Sequence, residues 1–189
     1  STEVGYYSLG VSIGEVLWQL PLAVGIVLMS RTANTKDQKL MNEVTGRLLR
    51  LSFLATIVAS MLIFLLAPYV VPLVWGKEFV PSVNLLQYIL PGILFFSVYR
   101  IISSRLSGMG KPEIGIYVFI PALVLNIVLN YWWIPRYGPM GAVMATNTSY
   151  ILGSLAFLIV YSKVIGMPLR EIVKYRISDF RFFTTDYTD

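Results

Sequence analysis

The chain contains neither cysteine nor histidine among its 189 residues. Disulfide bonds, thiol chemistry and an imidazole pH switch are therefore excluded, as are metal sites built from sulfur or imidazole ligands. Carboxylates are scarce as well, since Asp and Glu together number 10 and few lie within apolar stretches. A metal site made of oxygen ligands would lack its usual carboxylates. We therefore predict no metal site and no cofactor.

Apolar sequence dominates what remains. Hydrophobic residues make up 56% of the chain, and the mean hydropathy is +0.69. Since a membrane-spanning helix needs about 20 mostly apolar residues, five stretches are long enough to cross a bilayer: about residues 4–30, 48–75, 85–106, 114–134 and 140–161. A soluble domain would show amphipathic helices or alternating strands instead. The sequence thus predicts an all-α, polytopic membrane protein with a bundle of five transmembrane helices in residues 1–163.

Basic residues concentrate after the first, third and fifth stretches. Of the 15 lysines and arginines, 12 lie there, whereas Lys77 and Arg136 fall in the opposite loops and Arg100 falls inside a stretch. Positive charge marks the cytoplasmic side of membrane proteins. We therefore expect a cell-membrane location with the N-terminus of the chain outside and the C-terminus in the cytoplasm. The net charge of +5 is explained by this asymmetry, and we expect no nucleic-acid partner.

The ends of the chain carry two further expectations. An outside N-terminus without a signal peptide requires an earlier span, so we expect the chain to be a fragment of a longer protein. Residues 164–189 form a predicted cytoplasmic tail in which apolar residues recur at helical spacing: Leu169, Ile172, Val173, Ile177 and Phe180. Basic residues on the other faces suit a short interfacial helix on the inner leaflet, among anionic headgroups. A frayed terminus is the alternative.

Prolines interrupt four of the five stretches: Pro21 in the first, Pro68 and Pro72 in the second, Pro91 in the third and Pro121 in the fourth. Each proline removes one helical hydrogen bond and bends the helix axis. Broken helices are common in transporters. Because prolines are frequent in membrane helices of every kind, they favour transport only slightly.

Polar residues form a stripe in the first stretch: Ser8, Ser12, Glu15 and Gln19. Spacings of four, three and four residues place them within about 60° of one another on a helix. Lipid cannot face such a stripe, and an ionised carboxylate near the bilayer centre must be hydrated or paired. The stripe therefore predicts a polar surface on one side of the first span.

Three other stretches also contain polar groups. Arg100, in the third, cannot lose its charge and needs an anion, a carbonyl group or water. Asn126 and Asn130 lie one turn apart in the fourth, and Asn147 lies in the fifth. The second stretch has only small hydroxyl residues and is the most lipid-like: Ser52, Thr56 and Ser60.

Two interpretations fit these residues. In the first, the polar faces line a hydrated cavity in which Arg100 attracts an anionic substrate. In the second, Glu15 and Arg100 form a structural ion pair and the asparagines join helices to one another. We favour the cavity, because the stripes are longer than one buried pair requires.

Several short motifs occur in an order that resembles a known family. They are Val4-Gly-Tyr-Tyr7 with Arg31, Leu66-Ala-Pro-Tyr-Val70 followed by Trp75-Gly-Lys-Glu-Phe79 and Pro81-Ser82, Ser107-Gly-Met-Gly-Lys111, and Ile134-Pro-Arg-Tyr-Gly138 with Gly141-Ala142 and Ser149-Tyr150. In this order the chain resembles the polysaccharide or lipid-linked oligosaccharide flippases of the multidrug/oligosaccharidyl-lipid/polysaccharide exporter superfamily. The resemblance covers about residues 4–163.

The resemblance implies part of the C-terminal lobe of a two-lobe, MATE-like transporter, without its first helix and the entire N-terminal lobe. It implies transmembrane export, by alternating access, of a polyprenyl-diphosphate-linked glycan whose tail stays in membrane lipid, and no enzymatic reaction. The roles of individual residues rest on the polar faces of the spans and not on a motif of the family. Arg100 would contact the diphosphate through charge-assisted hydrogen bonds. Glu15 would pair with Arg100 or bind a coupling proton or cation. Amide side chains would bond the sugar hydroxyls: Gln19, Asn126, Asn130 and Asn147.

Three alternatives remain open. A cation-coupled multidrug exporter of the same superfamily would use acidic sites more than basic ones, and one Glu against one Arg within the spans does not decide this. A membrane glycosyltransferase or polymerase would need carboxylates near its acceptor, and the outer loops contain Glu78 alone. A membrane scaffold without transport would not need so many polar faces.

Overall fold

A computed structural model describes residues 2–176 and Asp179. It contains seven α-helices in that part of the chain: α1 Thr2–Glu15, α2 Gln19–Asn34, α3 Gln38–Val74, α4 Val80–Gly108, α5 Pro112–Tyr137, α6 Pro139–Ile165 and α7 Leu169–Val173. Short 3₁₀ turns join α1 to α2 at Val16–Trp18 and α3 to α4 at Lys77–Phe79. The described residues include no β-strand.

Five helical segments are long and apolar enough to cross a membrane: Thr2–Asn34, Gln38–Val74, Lys77–Gly108, Pro112–Tyr137 and Pro139–Ile165. Each coincides with one of the five predicted stretches, so the prediction of an all-α fold with five spans is confirmed. The chain is a multi-pass membrane protein.

Helix α4 is the centre of the bundle. In its apolar segment 56% of the residues are buried, against 6% in α5, and it packs on α1, α2, α3 and α6. A helix that is apolar on all sides is stable only when neighbours surround it. Helix α5 packs mainly on α6 and is the most peripheral span of this chain. The second stretch, which we expected to be the most lipid-like, has the highest mean hydropathy of the five spans, 2.4. Its hydroxyl residues lie on the buried side of α3: Ser52, Thr56 and Ser60.

The first span is broken, whereas the other four are continuous helices. The 3₁₀ turn Val16–Trp18 contains Leu17, whose carbonyl lies four residues before Pro21. Proline has no N–H group to donate to that carbonyl, and its ring collides with it. The helix tightens there and starts again at Gln19. In α3, α4 and α5 the helix runs through its prolines: Pro68, Pro72, Pro91, Pro121 and Pro135.

An amide from a neighbouring helix compensates for one of these prolines. Pro68 cannot donate a hydrogen bond to the carbonyl of Phe64, four residues earlier in α3. The side chain of Gln87 in α4 donates its amide Nε2–H to that carbonyl at 2.9 Å instead. Backbone groups inside a membrane must be satisfied within the protein, because no water is available to bond them. The bond therefore removes much of the cost of placing Pro68 inside a span.

The segment after α6 docks on the end of α3 that carries Arg50. Arg50 donates from Nε and Nη2 to both carboxylate oxygens of Asp179, at 2.7 and 2.6 Å, and from Nη1 to the carbonyl of Ile172 at 2.8 Å. Tyr175 donates its hydroxyl to the carbonyl of Arg50 at 3.2 Å. The Arg50 and Asp179 side chains are only 5% and 3% exposed. This bidentate pair attaches the segment to the bundle.

The predicted tail helix is present in part. Helix α7 begins after Pro168 and ends at Val173, where Lys174 is extended. Its Ile172 is buried within the apolar cluster that surrounds Leu106 and Phe157, so this side of the helix faces the protein. Contact of α7 with a membrane surface stays a prediction, and Ile177 and Phe180 lie outside the described residues.

Two basic residues that sequence analysis counted with the inner loops are buried in helices. Arg50 lies in α3, and Arg105, near the end of α4, has no exposed surface. Arg105 donates from Nη2 to the side-chain oxygens of Gln38 and Asn42, at 3.0 and 2.9 Å. Both arginines therefore join helices to the segments beside them and lie beneath the surface of this end of the bundle.

Candidate functional site

The site is centred on Arg100, in the part of α4 that follows Pro91. Its guanidinium carbon lies 4.8 Å from the centre of the Trp18 ring and 5.7 Å from that of the Phe96 ring. Both distances are within the range of cation–π attraction. The 3₁₀ turn between α1 and α2 ends at Trp18, so the break in the first span brings this ring to the guanidinium.

The guanidinium retains its hydrogen-bonding capacity. Within residues 2–176 and 179, no hydrogen bond or ion pair is formed by Arg100, and its Nε is buried without an acceptor. Aromatic rings attract the charge but accept none of the five N–H groups in a conventional hydrogen bond. An arginine inside a membrane span needs an anion or water for these donors. Arg100 is therefore equipped to bind an anionic group.

Stacked aromatic rings hold Phe96 in place beneath Arg100. Phe96 stacks on Tyr150 of α6 at 4.3 Å between ring centroids and on Tyr99 at 5.1 Å. Trp18 lies 5.3 Å from Phe96 and 6.1 Å from Tyr150. Stacked and tilted ring pairs at these separations are favourable. We call Trp18, Phe96 and Tyr150 the aromatic platform of Arg100.

The platform was missed at the sequence level. The spacing of Phe96 and Arg100, four residues apart on one helix, places the two side chains on the same face, and this signal was available. The contact of Trp18 with Arg100 could not be predicted in this way, because it depends on how α1, α2 and α4 pack together.

The predicted polar stripe lies on the surface of this chain. All its members are exposed: Ser8, Ser12, Glu15 and Gln19. Gly10 and Gly14, on the other side of α1, are buried, and a side chain on Gly10 would approach the carbonyl of Ser82 in α4 to 3.0 Å. Helix α1 therefore packs by its glycine face and presents its polar face away from the bundle.

Glu15 and Arg100 do not form an ion pair in the described residues, which contain both side chains. Glu15 is exposed, and the nearest groups to the guanidinium of Arg100 are the rings of Trp18 and Phe96. The structural pair considered from the sequence is thus not formed in this conformation. The role of Glu15 in ion coupling stays a prediction.

Two of the predicted amides lie on α5. Asn130 donates its amide Nδ2–H to Oδ1 of Asn126 at 2.9 Å. Asn126 lines a cavity of about 140 Å³ between α4, α5 and α6, together with Tyr99 and Tyr150 of the aromatic cluster. A water molecule occupies roughly 30 Å³, and ligand pockets usually exceed about 300 Å³. The cavity can hold a few waters and is too small for a sugar chain.

Asn147 has both halves of its amide engaged with α4. Its Oδ1 accepts from the N–H of Gly92 at 2.9 Å, and its Nδ2–H donates to the carbonyl of Tyr88 at 2.6 Å. Of the predicted site residues, the structure therefore places Arg100 on the aromatic platform and Asn126 at the cavity that Tyr150 also lines. Gln19 lies on the exposed stripe, and Asn147 bonds the backbone of a neighbouring helix.

Several known proteins resemble this chain. An uncharacterized membrane protein of Methanocaldococcus jannaschii is 30% identical over 166 residues, which are 85% of this chain and 39% of that protein. A candidate O-antigen transporter of Shigella flexneri is 26% identical over 163 residues, which are 86% of this chain and 39% of the transporter. The chain thus spans about two fifths of the length of these relatives.

The fold matches a solved structure. The lipid II flippase MurJ in an inward closed conformation superposes on 90% of this chain with a TM-score of 0.77 and 19% sequence identity, and the match covers 38% of the MurJ chain. This similarity confirms the MATE-like fold that the motif order predicted. The sequence model of the MatE family matches residues 1–132, more than two thirds of the chain. The chain therefore belongs to the MatE family.

Proposed function

We propose that the complete protein moves a lipid-linked oligosaccharide or polysaccharide precursor from the cytoplasmic to the outer leaflet by alternating access. The observation that carries the proposal is Arg100, a permanent cation on an aromatic platform, with no protein acceptor for its N–H groups among the described residues. A diphosphate offers the oxygens that a guanidinium binds best, through paired charge-assisted hydrogen bonds.

The polar stripe supports the same proposal. A stripe exposed along α1 and the start of α2 would line a path wide enough for sugars once a second lobe faces it. Gln19 would bond sugar hydroxyls there, and Asn126 would reach them through waters in the small cavity that it lines. Asn130 would act through its hydrogen bond to Asn126. Glu15 would bind the coupling proton or cation, or pair with Arg100 in another conformation. The names of the relatives, an O-antigen transporter and a lipid II flippase, agree with a lipid-linked glycan substrate.

The direct test reconstitutes the complete protein in liposomes with a fluorescent polyprenyl-diphosphate oligosaccharide. We expect protein-dependent arrival of the glycan at the far leaflet, measured by its accessibility to a membrane-impermeant reductant. Protein-free liposomes are one control. The other is the same polyprenyl chain joined to a single sugar by an uncharged ester in place of the diphosphate-linked oligosaccharide. Transport of a cationic dye without movement of the glycan would reject the flippase and favour the multidrug exporter.

The proposed orientation has its own test, in which single cysteines are introduced into these 189 residues, which contain none. We expect Lys77→Cys to react with an impermeant maleimide added outside intact cells, and Lys39→Cys to react only after the cells are opened. Lys77 precedes α4 and Lys39 lies at the start of α3, so the two positions are at opposite ends of the bundle. The reverse labelling pattern would overturn the assignment of an outside N-terminus.

A further inference from the structure

Pro91 leaves a weak point in α4, nine residues before Arg100. Proline donates no hydrogen bond, and its ring pushes on the carbonyl four residues earlier. In a regular α-helix the next hydrogen bond would join the N–H of Gly92 to the carbonyl of Tyr88. In this structure both of those groups bind the side chain of Asn147 in α6, at 2.9 and 2.6 Å.

The two bonds require the chemistry of an amide. One atom of the side chain must accept from Gly92, and another must donate to Tyr88, which only Asn and Gln side chains do at neutral pH with this geometry. The fit is close, because a Cβ atom on Gly92 would lie 3.0 Å from Cα of Asn147 and nearer still to its Oδ1. Gly92 and Asn147 therefore form one matched contact, which we call the Asn147 clasp.

The clasp lies one helical turn from the aromatic platform. Phe96 follows Gly92 by four residues, Tyr150 follows Asn147 by three, and their rings stack at 4.3 Å. Helices α4 and α6 are thus joined at two successive levels, first by the clasp and then by the stack. Arg100 follows one further turn along α4 and lies over Phe96.

We propose that Asn147 is a positioning residue that sets the direction of the α4 segment carrying Phe96 and Arg100. Its side chain bonds both the N–H of Gly92 and the carbonyl of Tyr88 beside Pro91. The part of α4 that follows Pro91 is thereby held at one fixed angle to α6. Without the clasp the segment bends freely at Pro91, and Arg100 no longer lies over Trp18. The proposal deepens the proposed function and depends on it only where transport is the readout.

The test is a double-mutant cycle between Asn147 and Pro91, in the complete protein. Trp75, Trp132 and Trp133, together with any tryptophan outside these 189 residues, are replaced by Phe so that fluorescence reports Trp18 alone. We expect Asn147→Ala to shift the Trp18 emission and to slow glycan translocation roughly tenfold, as an unsatisfied buried peptide group would. Pro91→Ala removes the proline ring and supplies a backbone N–H to the carbonyl of Gln87, so the N–H of Gly92 and the carbonyl of Tyr88 can pair within the helix, and Asn147→Ala should have little effect in that background.

Thr148→Ala is the matched control. Thr148 is the neighbouring residue of α6, and its hydroxyl donates to the carbonyl of Met144 in the same helix, with no bond to another helix among the described residues, so emission and translocation should stay unchanged. If Asn147→Ala reduces expression, recovery of a monodisperse protein in the Pro91→Ala background supports the clasp equally well.

Two results would overturn the proposal: a double variant as impaired as Asn147→Ala, or a Trp18 emission that Asn147→Ala leaves unchanged. The double-mutant cycle scored by Trp18 emission does not involve the glycan. A protein that shows rescue of Trp18 emission but moves no glycan would therefore reject the flippase and retain the clasp.

Discussion

Replacement of Arg100 by alanine is expected to reduce glycan translocation at least about 100-fold, the scale of losing a hydrogen-bonded charge partner of a buried anion. The variant should still insert, because Arg100 forms no hydrogen bond or ion pair within residues 2–176 and 179, and its nearest partners are the rings of Trp18 and Phe96. Surface expression and reconstituted translocation, measured side by side, check the two halves of this expectation.

The conservative and control variants identify the cause. Arg100→Lys should retain part of the rate, because the charge survives while the planar fork is lost. Arg136→Ala, which removes an exposed arginine at the end of α5, should leave the rate unchanged. Full recovery of transport when Arg100→Ala is combined with Glu15→Gln would show that Arg100 only neutralises Glu15. Substrate contact would then have to be abandoned.

Replacement of Arg50 by alanine is expected to lower the free energy of unfolding by about 3 kcal/mol or more, the cost of leaving a buried ion without its partner. Arg50 bonds both oxygens of Asp179 and the carbonyl of Ile172, so the segment from α7 to Asp179 should also detach. Thermal unfolding of the detergent-solubilised protein measures the first effect, and protease cleavage after Lys174 measures the second. Lys174→Ala, an exposed change nearby, is the control for stability.

The same contact predicts a dependence on pH. The hydrogen bond from Arg50 holds the pKa of Asp179 below its ordinary value of 3.8, with a further contribution from the backbone N–H of Arg176. A carboxyl group whose pKa is lowered by folding stabilises the fold above its unfolded pKa, and the contribution is lost as pH falls through the folded pKa. Cleavage at Lys174 should therefore increase only below about pH 4. An Asp179→Asn variant that is cleaved equally at pH 7 and pH 3 would agree, whereas one still protected at pH 7 would contradict the role of the pair.

The spans and the central charge were predictable from the sequence, because each depends on local composition. Twenty apolar residues in a row have few stable conformations outside a membrane helix, and Arg100 is conspicuous in such a setting. The break at Val16–Trp18 was predictable in part, since Pro21 removes a donor, although proline alone does not show why α4 stays continuous at Pro91. The contact beside Pro91 comes from Asn147, which is 56 residues away in sequence.

Contacts between distant segments account for what the sequence could not predict. Asn147 fits the general expectation that asparagines join helices, but no pattern indicates that its partners are the N–H of Gly92 and the carbonyl of Tyr88. Trp18 resembles any other apolar residue of a span until the packing of α2 on α4 is known. Asp179 lies in a segment whose periodicity indicated a surface helix, whereas its carboxylate pairs with a buried arginine of α3.

The bond between Gln87 and the carbonyl of Phe64 has a consequence for how such sequences diverge. Substitution of Pro68 restores a backbone N–H that can donate to the carbonyl of Phe64, and the amide of Gln87 is then no longer needed there. We therefore expect this substitution to be tolerated by itself. Loss of Gln87 first leaves an unpaired carbonyl in the lipid interior, and the intermediate is penalised. Lineages should therefore discard the proline before the glutamine and acquire the two in the opposite order. The interhelical contact makes the path of substitution directional.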